Sequence, residues 1–191
     1  ELPFTTTHIS AATGLVAWSL VETWRGGKPT AVGMATGAVA GLVGITPGAG
    51  FVTPAAGMAI GAITGLLCYF SVQLKVSLRF DDSLDTFAVH GVGGTIGAIL
   101  TGVFASAELI SSHPAGQVLA ENGRFALIAG QVQAVLVAYG LAALGTLLIA
   151  AILRGLGMPF RVPEEAENLG VDVREHGEEA YAERIGSPQF H

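Results

Sequence analysis

Residues 29–74 read PTAVGMATGAVAGLVGITPGAGFVTPAAGMAIGAITGLLCYFSVQL, and this stretch decides the fold. It holds 46 residues between Lys28 and Lys75 without one charge. A bilayer core of ~30 Å takes about 20 apolar residues as helix, so the stretch is long enough for two crossings. Glycine recurs at every fourth position in each half: Gly33, Gly37 and Gly41, then Gly57, Gly61 and Gly65. That spacing places each set on one helical face, where small residues let two backbones approach closely in lipid. Thr46-Pro47-Gly48-Ala49-Gly50 breaks the first helix and Pro54 opens the second. The pattern predicts helices over about 30–45 and 54–74.

Working outward, charge is missing from three further gaps of 20, 22 and 29 residues, bounded by Glu1 and Glu22, Asp85 and Glu108, and Arg124 and Arg154. These predict spans over about 4–24, 83–104 and 125–153, giving five in all. The whole chain is 51% hydrophobic and 13% charged, against about 25% charged in soluble domains. The expected fold class is therefore all-α, a polytopic membrane helical bundle. Residues 1–160 supply five transmembrane helices and 161–191 an acidic tail. This composition excludes a soluble enzyme domain, a disordered chain and a nucleic-acid binder. No nucleophile-elbow, phosphate-loop or His-Glu-x-x-His pattern occurs, so no catalytic residue is expected. Cys68 is alone, which excludes an internal disulfide or a cysteine-based zinc site. No metal and no cofactor are expected.

The net charge of −6 comes entirely from residues 162–191, which carry Arg174, Arg184 and eight acids. The chain opens on Glu-Leu-Pro-Phe with an apolar stretch almost at once, which suggests the C-terminal part of a longer polytopic chain. Arg25, Lys28, Lys75, Arg79, Arg154 and Arg161 flank alternate span ends, with only Arg124 on the opposite side. By the positive-inside rule the tail and the 75–85 loop are expected in the cytoplasm. The tail lacks a sustained apolar period. Its composition favours disorder, with a short helix over 175–184 as the alternative.

His90 is the sharpest candidate residue. It stands inside an otherwise uncharged span, about 10 Å beyond a helix start near Ser83 at ~1.5 Å rise per residue. An ionisable group at that depth usually lines a cavity or a proton relay; the alternative is a structural histidine bonded to a neighbouring helix. Neutral imidazole carries one donor and one acceptor, suited to a small, weakly basic substrate, and it can relay a proton. Asp82 and Asp85 lie where they can cap the span or attract cations at a pore exit. His8 fits interfacial hydrogen bonding, and neither His113 nor His176 is assigned a transport role on residue type alone.

Asp81-Asp82-Ser83-Leu84-Asp85-Thr86-Phe87-Ala88-Val89-His90-Gly91-Val92-Gly93-Gly94 closely resembles the signature of the ammonium transporter (Amt/Rh) family. Gly26-Gly27-Lys28-Pro29-Thr30, residues 37–47, and the tail segments 161–165, 170–172 and 176–181 resemble it too. The resemblance covers essentially the whole chain and fits the last five transmembrane helices plus the cytoplasmic tail of a bacterial Amt-type protein. It implies a homotrimer in the cell (inner) membrane, recruitment of ammonium, and conduction of ammonia past a histidine pair. His90 matches the second member of that pair; the first belongs to the half not present here. It also implies that the tail docks at the cytoplasmic face and couples subunits through the segment holding His176, Gly177 and Tyr181. A PII-type regulatory protein is the implied partner at that face. The rival reading is a membrane ammonium sensor that signals through its tail.

Overall fold

The computed structural model describes residues 1–177 and divides into two compact units, Glu1–Tyr139 and Gly140–His191. The described residues contain helices and turns and no strand. In the first unit α1 spans Leu2–Gly26, α2 Ala31–Ile45 and α3 Pro54–Ser77. A π-helical turn, Phe87–Gly91, runs into α4, Val92–Phe104, and α5 follows over Pro114–Gly155, crossing into the second unit. The local causes are ordinary. Gly27 closes α1 in the left-handed region at φ 83°, its amide donating to the Thr23 carbonyl. Thr30 and Thr53 cap α2 and α3, and Pro54 takes the first position of α3.

The two glycine ladders face the same partner, α1. A Cβ on Gly41 or on Gly61 would collide with the Ser10 carbonyl, one on Gly65 with the Gly14 carbonyl, and one on Gly37 with the Trp18 side chain. The face α1 presents is Thr6, Ser10, Gly14 and Trp18, all buried and four residues apart. Its hydroxyls donate across to neighbouring backbones: Thr6 to the Ala49 carbonyl at 2.6 Å, Ser10 to Gly41 at 2.8 Å and Thr13 to Met58 at 3.0 Å. Helix α4 repeats the device, since a Cβ on Gly97 would meet the Gly44 carbonyl.

Among the described residues, three helical stretches are long and apolar enough to cross a bilayer: Pro54–Ser77, Phe87–Phe104 and Pro114–Gly155. The other two of the five expected spans differ for physical reasons. Helix α2 has 15 residues, about 22 Å at 1.5 Å each. Helix α1 has the length, 25 residues, but its threonines and serines lower its hydropathy. They are there because α1 lies between α2 and α3 and bonds to both.

The fourth span begins at Phe87, not near Ser83, because residues 82–85 form a turn. Asp85 sits there at φ 56°, a left-handed conformation that aspartate tolerates better than most residues. His90 is therefore in the first turn of the helix, not ~10 Å along it. After α4, residues 105–113 form turns, and the helix resumes at Pro114 with a break at Gly123, φ 77° and ψ 178°. The Arg124 guanidinium donates to the carbonyls of Ala105 (2.6 Å) and Gly102 (3.3 Å). This cation thus complements the carbonyl end of α4.

In the second unit, α6 spans Glu164–Leu169 and a π-helical turn spans Asp172–His176. Arg161 grips the Glu167 carboxylate through Nε and Nη2. That hydrogen bond, followed by the guanidinium charge, holds the Glu167 carboxyl below the usual carboxylate range despite some desolvation. The helix expected over 175–184 falls largely outside the described residues.

Candidate functional site

The segment from Lys75 to Gly91 carries the candidate site. At the end of α3 the Lys75 ammonium pairs with the Asp85 carboxylate and also donates to the Asp82 carbonyl. Asp82 in turn accepts the backbone N–H of Thr86 at 2.8 Å and of Phe87 at 2.9 Å. Desolvation pulls the Asp82 carboxyl upward. The amide bonds from Thr86, Phe87 and Ala88, with the Lys75 charge, outweigh it and hold the group below the usual carboxylate range. One cation and two carboxylates therefore build the start of the turn that presents His90.

Within that turn, two consecutive side chains face the core and the residues on either side face outward. Ala88 and Val89 are buried, and Val89 joins Trp18, Ala40, Cys68 and Tyr69 in a core cluster. The Cys68 thiol donates to the Val89 carbonyl, with sulfur 3.7 Å from oxygen. His90 is exposed, on the outer surface of the turn. Phe87 folds back over Gly91, where a Cβ would come within 2.8 Å of its ring. Beside it a cavity of about 150 Å³ is lined by Ser71, Leu74, Lys75, Leu78, Phe80, Phe87 and Ala88. The rings of Phe80 and Phe87 lie 6.2 Å apart. The turn thus exposes both an imidazole, His90, and an aromatic ring, Phe87, which is unusual for an apolar helix.

On the other side of the turn, the Gly91 carbonyl accepts two hydroxyls, Thr95 at 2.7 Å and Tyr139 at 3.1 Å, and these hydroxyls are 2.8 Å from each other. Sequence reasoning passes over both residues. The available signal for Tyr139 is that it is the one tyrosine in the 29-residue uncharged run 125–153. Nothing in the sequence announces the π-helical turn, a feature that recurs at functional positions in other proteins.

The remaining expected residues are placed as follows. His8 stacks on Phe4 at 5.7 Å. His113 accepts the Ala115 N–H at 3.2 Å and lies against Phe51, near a cavity of about 80 Å³ at the far end of the first unit. In the second unit, His176 ends the π-helical turn and Gly177 follows at φ 67°, its amide donating to the Val173 carbonyl at 3.2 Å. Tyr181 lies outside the described residues. Among the described residues no group of three or more His, Cys, Asp or Glu side chains could hold a metal ion.

The profile of the Ammonium Transporter Family matches residues 2–181. The ammonium transporter of Bacillus subtilis is 43% identical over 95% of this chain and 44% of its own length. That of Aquifex aeolicus is 42% identical over 92% and 40%. The chain therefore spans less than half of these relatives. Among solved structures, Saccharomyces cerevisiae Mep2 superposes with a TM-score of 0.62 at 37% identity, over 71% of this chain and 33% of that one. A structure described as a sensor Amt protein gives 0.76 at 32% identity, over 91% and 41%.

Proposed function

Because this chain belongs to the ammonium transporter family and is a multi-pass membrane protein, we propose that it forms one wall of a channel-type pathway that recruits ammonium and conducts ammonia, with His90 on the conducting surface. The observation that carries this reading is the exposed imidazole of His90, set on a π-helical turn whose neighbours Ala88 and Val89 are buried. A ring that faces away from its own helices in an apolar segment is costly against lipid. It is suited to a polar passage closed by the rest of the protein. There a neutral imidazole offers a nitrogen lone pair to an N–H donor and an N–H to a nitrogen base, and it can pass a proton between them.

In this reading Asp82 and Asp85 do two things. They hold the turn, and they place negative charge where a cation would re-form at the cytoplasmic mouth. The subunit acts as part of a homotrimer in the cell (inner) membrane, with the tail cytoplasmic and a PII-type protein as its regulator. The tail segment containing His176, Gly177 and Tyr181 couples subunits. The family match across 2–181 supports the membrane setting, and the alternation of basic span ends supports the cytoplasmic tail.

The test is His90→Ala in the full-length protein reconstituted in liposomes, with ammonium and methylammonium flux as readout. Loss of flux or a changed ratio of the two substrates is expected; unchanged flux and ratio would remove His90 from the pathway. The superposition on a sensor Amt structure favours one second reading, an ammonium sensor signalling through the tail. Ammonium-dependent binding of a cytoplasmic partner with no measurable flux would establish that reading in place of transport.

A further inference from the structure

His90 sits between two backbone carbonyls that are each held by side chains from other parts of the bundle. On one side the Val89 carbonyl accepts the Cys68 thiol from α3. On the other the Gly91 carbonyl accepts Thr95 from α4 and Tyr139 from α5. The Thr95 and Tyr139 hydroxyls lie 2.8 Å apart, so two hydroxyl protons tie three oxygens into one cluster. A π-helical turn departs from the regular backbone bonding of the α-helix that follows it. The direction of a side chain on it is set by how its peptide planes are held. The Gly91 carbonyl is one residue from His90, and glycine is the residue least able to hold its own peptide plane.

We propose that Tyr139 and Thr95 are positioning residues for His90: their hydroxyls clamp the Gly91 carbonyl, and the clamp fixes the direction of the imidazole. Neither touches the substrate. Both act through the backbone of the turn, which makes α5 a determinant of substrate discrimination from a distance. The second donor has a reason to exist. Thr95 alone satisfies the carbonyl locally, within its own helix, four residues on. Tyr139 comes from 48 residues away and ties the turn to a different helix. The inference rests on the placement of His90 in the conducting pathway.

The experiment uses the full-length protein labelled with 15N-histidine in lipid nanodiscs, with His90 signals assigned by their loss in H90A, together with reconstituted flux. Tyr139→Phe and Thr95→Val should each shift the His90 ring-nitrogen signals as the ring changes direction. Each should change the methylammonium-to-ammonium flux ratio about threefold, the fold-change of a membrane hydrogen bond of ~0.6 kcal/mol. Thr95→Ser keeps the hydroxyl and should leave both readouts at wild type. A clamp that serves stability alone would lower the yield of folded protein and leave the His90 signals in place. Unmoved His90 signals in both Y139F and T95V overturn the inference, whatever the flux does. An unchanged flux in H90A overturns the pathway role itself, so the two failures are separable.

Discussion

The α1 interface and the segment from Lys75 to Gly91 are built by opposite means, although both sit in the first unit. The first is made of absences. Gly41, Gly61, Gly65 and Gly37 let carbonyls and a Trp18 methylene occupy the space of missing side chains, and hydroxyls contribute single bonds to backbone. The second is made of charges and directed bonds: Lys75 on Asp85, Asp82 on two amides, two hydroxyls on Gly91. Lipid tails are as apolar as leucine, so helices in a bilayer gain little from burying large apolar side chains. They gain from close approach, which only small residues allow. A close-packed frame has few alternative arrangements. A polar segment has several, and its geometry depends on each partner. The division assigns rigidity to the ladders and orientation to the segment that presents His90.

The largest expected effect tests the ladders. Gly41→Val and Gly61→Val each put atoms onto the Ser10 carbonyl, a backbone group that cannot step aside. Each should cost about 1–3 kcal/mol or more and sharply reduce folded full-length protein in detergent, read by size-exclusion and thermal melting. Gly145→Ala is the control, because nothing lies within 4 Å of a Cβ there; it should be neutral or stabilising by up to ~1 kcal/mol. Ladder variants that melt like wild type would end the contrast.

Next comes the polar segment. Lys75→Met leaves Asp85 without its cation and frees the Asp82 carbonyl, at a cost of about 1.5–3 kcal/mol for a hydrogen bond to a charged group. The readout is faster amide exchange confined to the 82–91 region, with the ladders unchanged. Asp82→Asn should speed exchange of the Thr86 and Phe87 amides in the same way. The pH dependence has a fixed sign. The Asp82 carboxyl is lowered in the folded protein, so its contribution is complete above the ordinary aspartate range. It is lost as pH falls through the lowered value. Exchange at Thr86 and Phe87 should therefore be flat from pH 8 to about 5 after correction for intrinsic rates, then rise on acidification in wild type and not in Asp82→Asn. A wild-type profile without that rise would detach the turn from Asp82.

The helices of this chain are legible because charge cannot enter the bilayer cheaply: the uncharged gaps fix where helices run, and the four-residue glycine repeats fix their faces. A repeat says that something comes close and does not say what. That both ladders close on α1 is hidden, because α1 is rich in threonine and serine, and a hydroxyl aimed at a neighbouring helix reads like one aimed at water. The start of the fourth span is hidden for a related reason. An aspartate a few residues before a helical run fits a cap in more than one register, and the structure uses Asp82 from a turn, reaching Thr86 and Phe87, four and five residues on. The Thr95–Tyr139 pair is beyond any local pattern, since its members are 44 residues apart and meet only when α5 packs beside the π-helical turn.

The smallest expected effect is the one that sharpens the contrast most. Ser10→Ala removes the hydroxyl that reaches the Gly41 carbonyl and keeps the small size that the ladders require. That carbonyl lies in the middle of α2 and retains its helical partner, so no buried acceptor is stranded. Its cost should be near ~0.6 kcal/mol, the average found for side-chain hydrogen bonds between membrane helices, and a melt should barely resolve it. Gly41→Val, one contact away, should be several times worse. If Ser10→Ala instead matched Gly41→Val, the frame would be held by its polar bonds as the Lys75–Gly91 segment is. Close approach would then be a consequence of those bonds and not their cause.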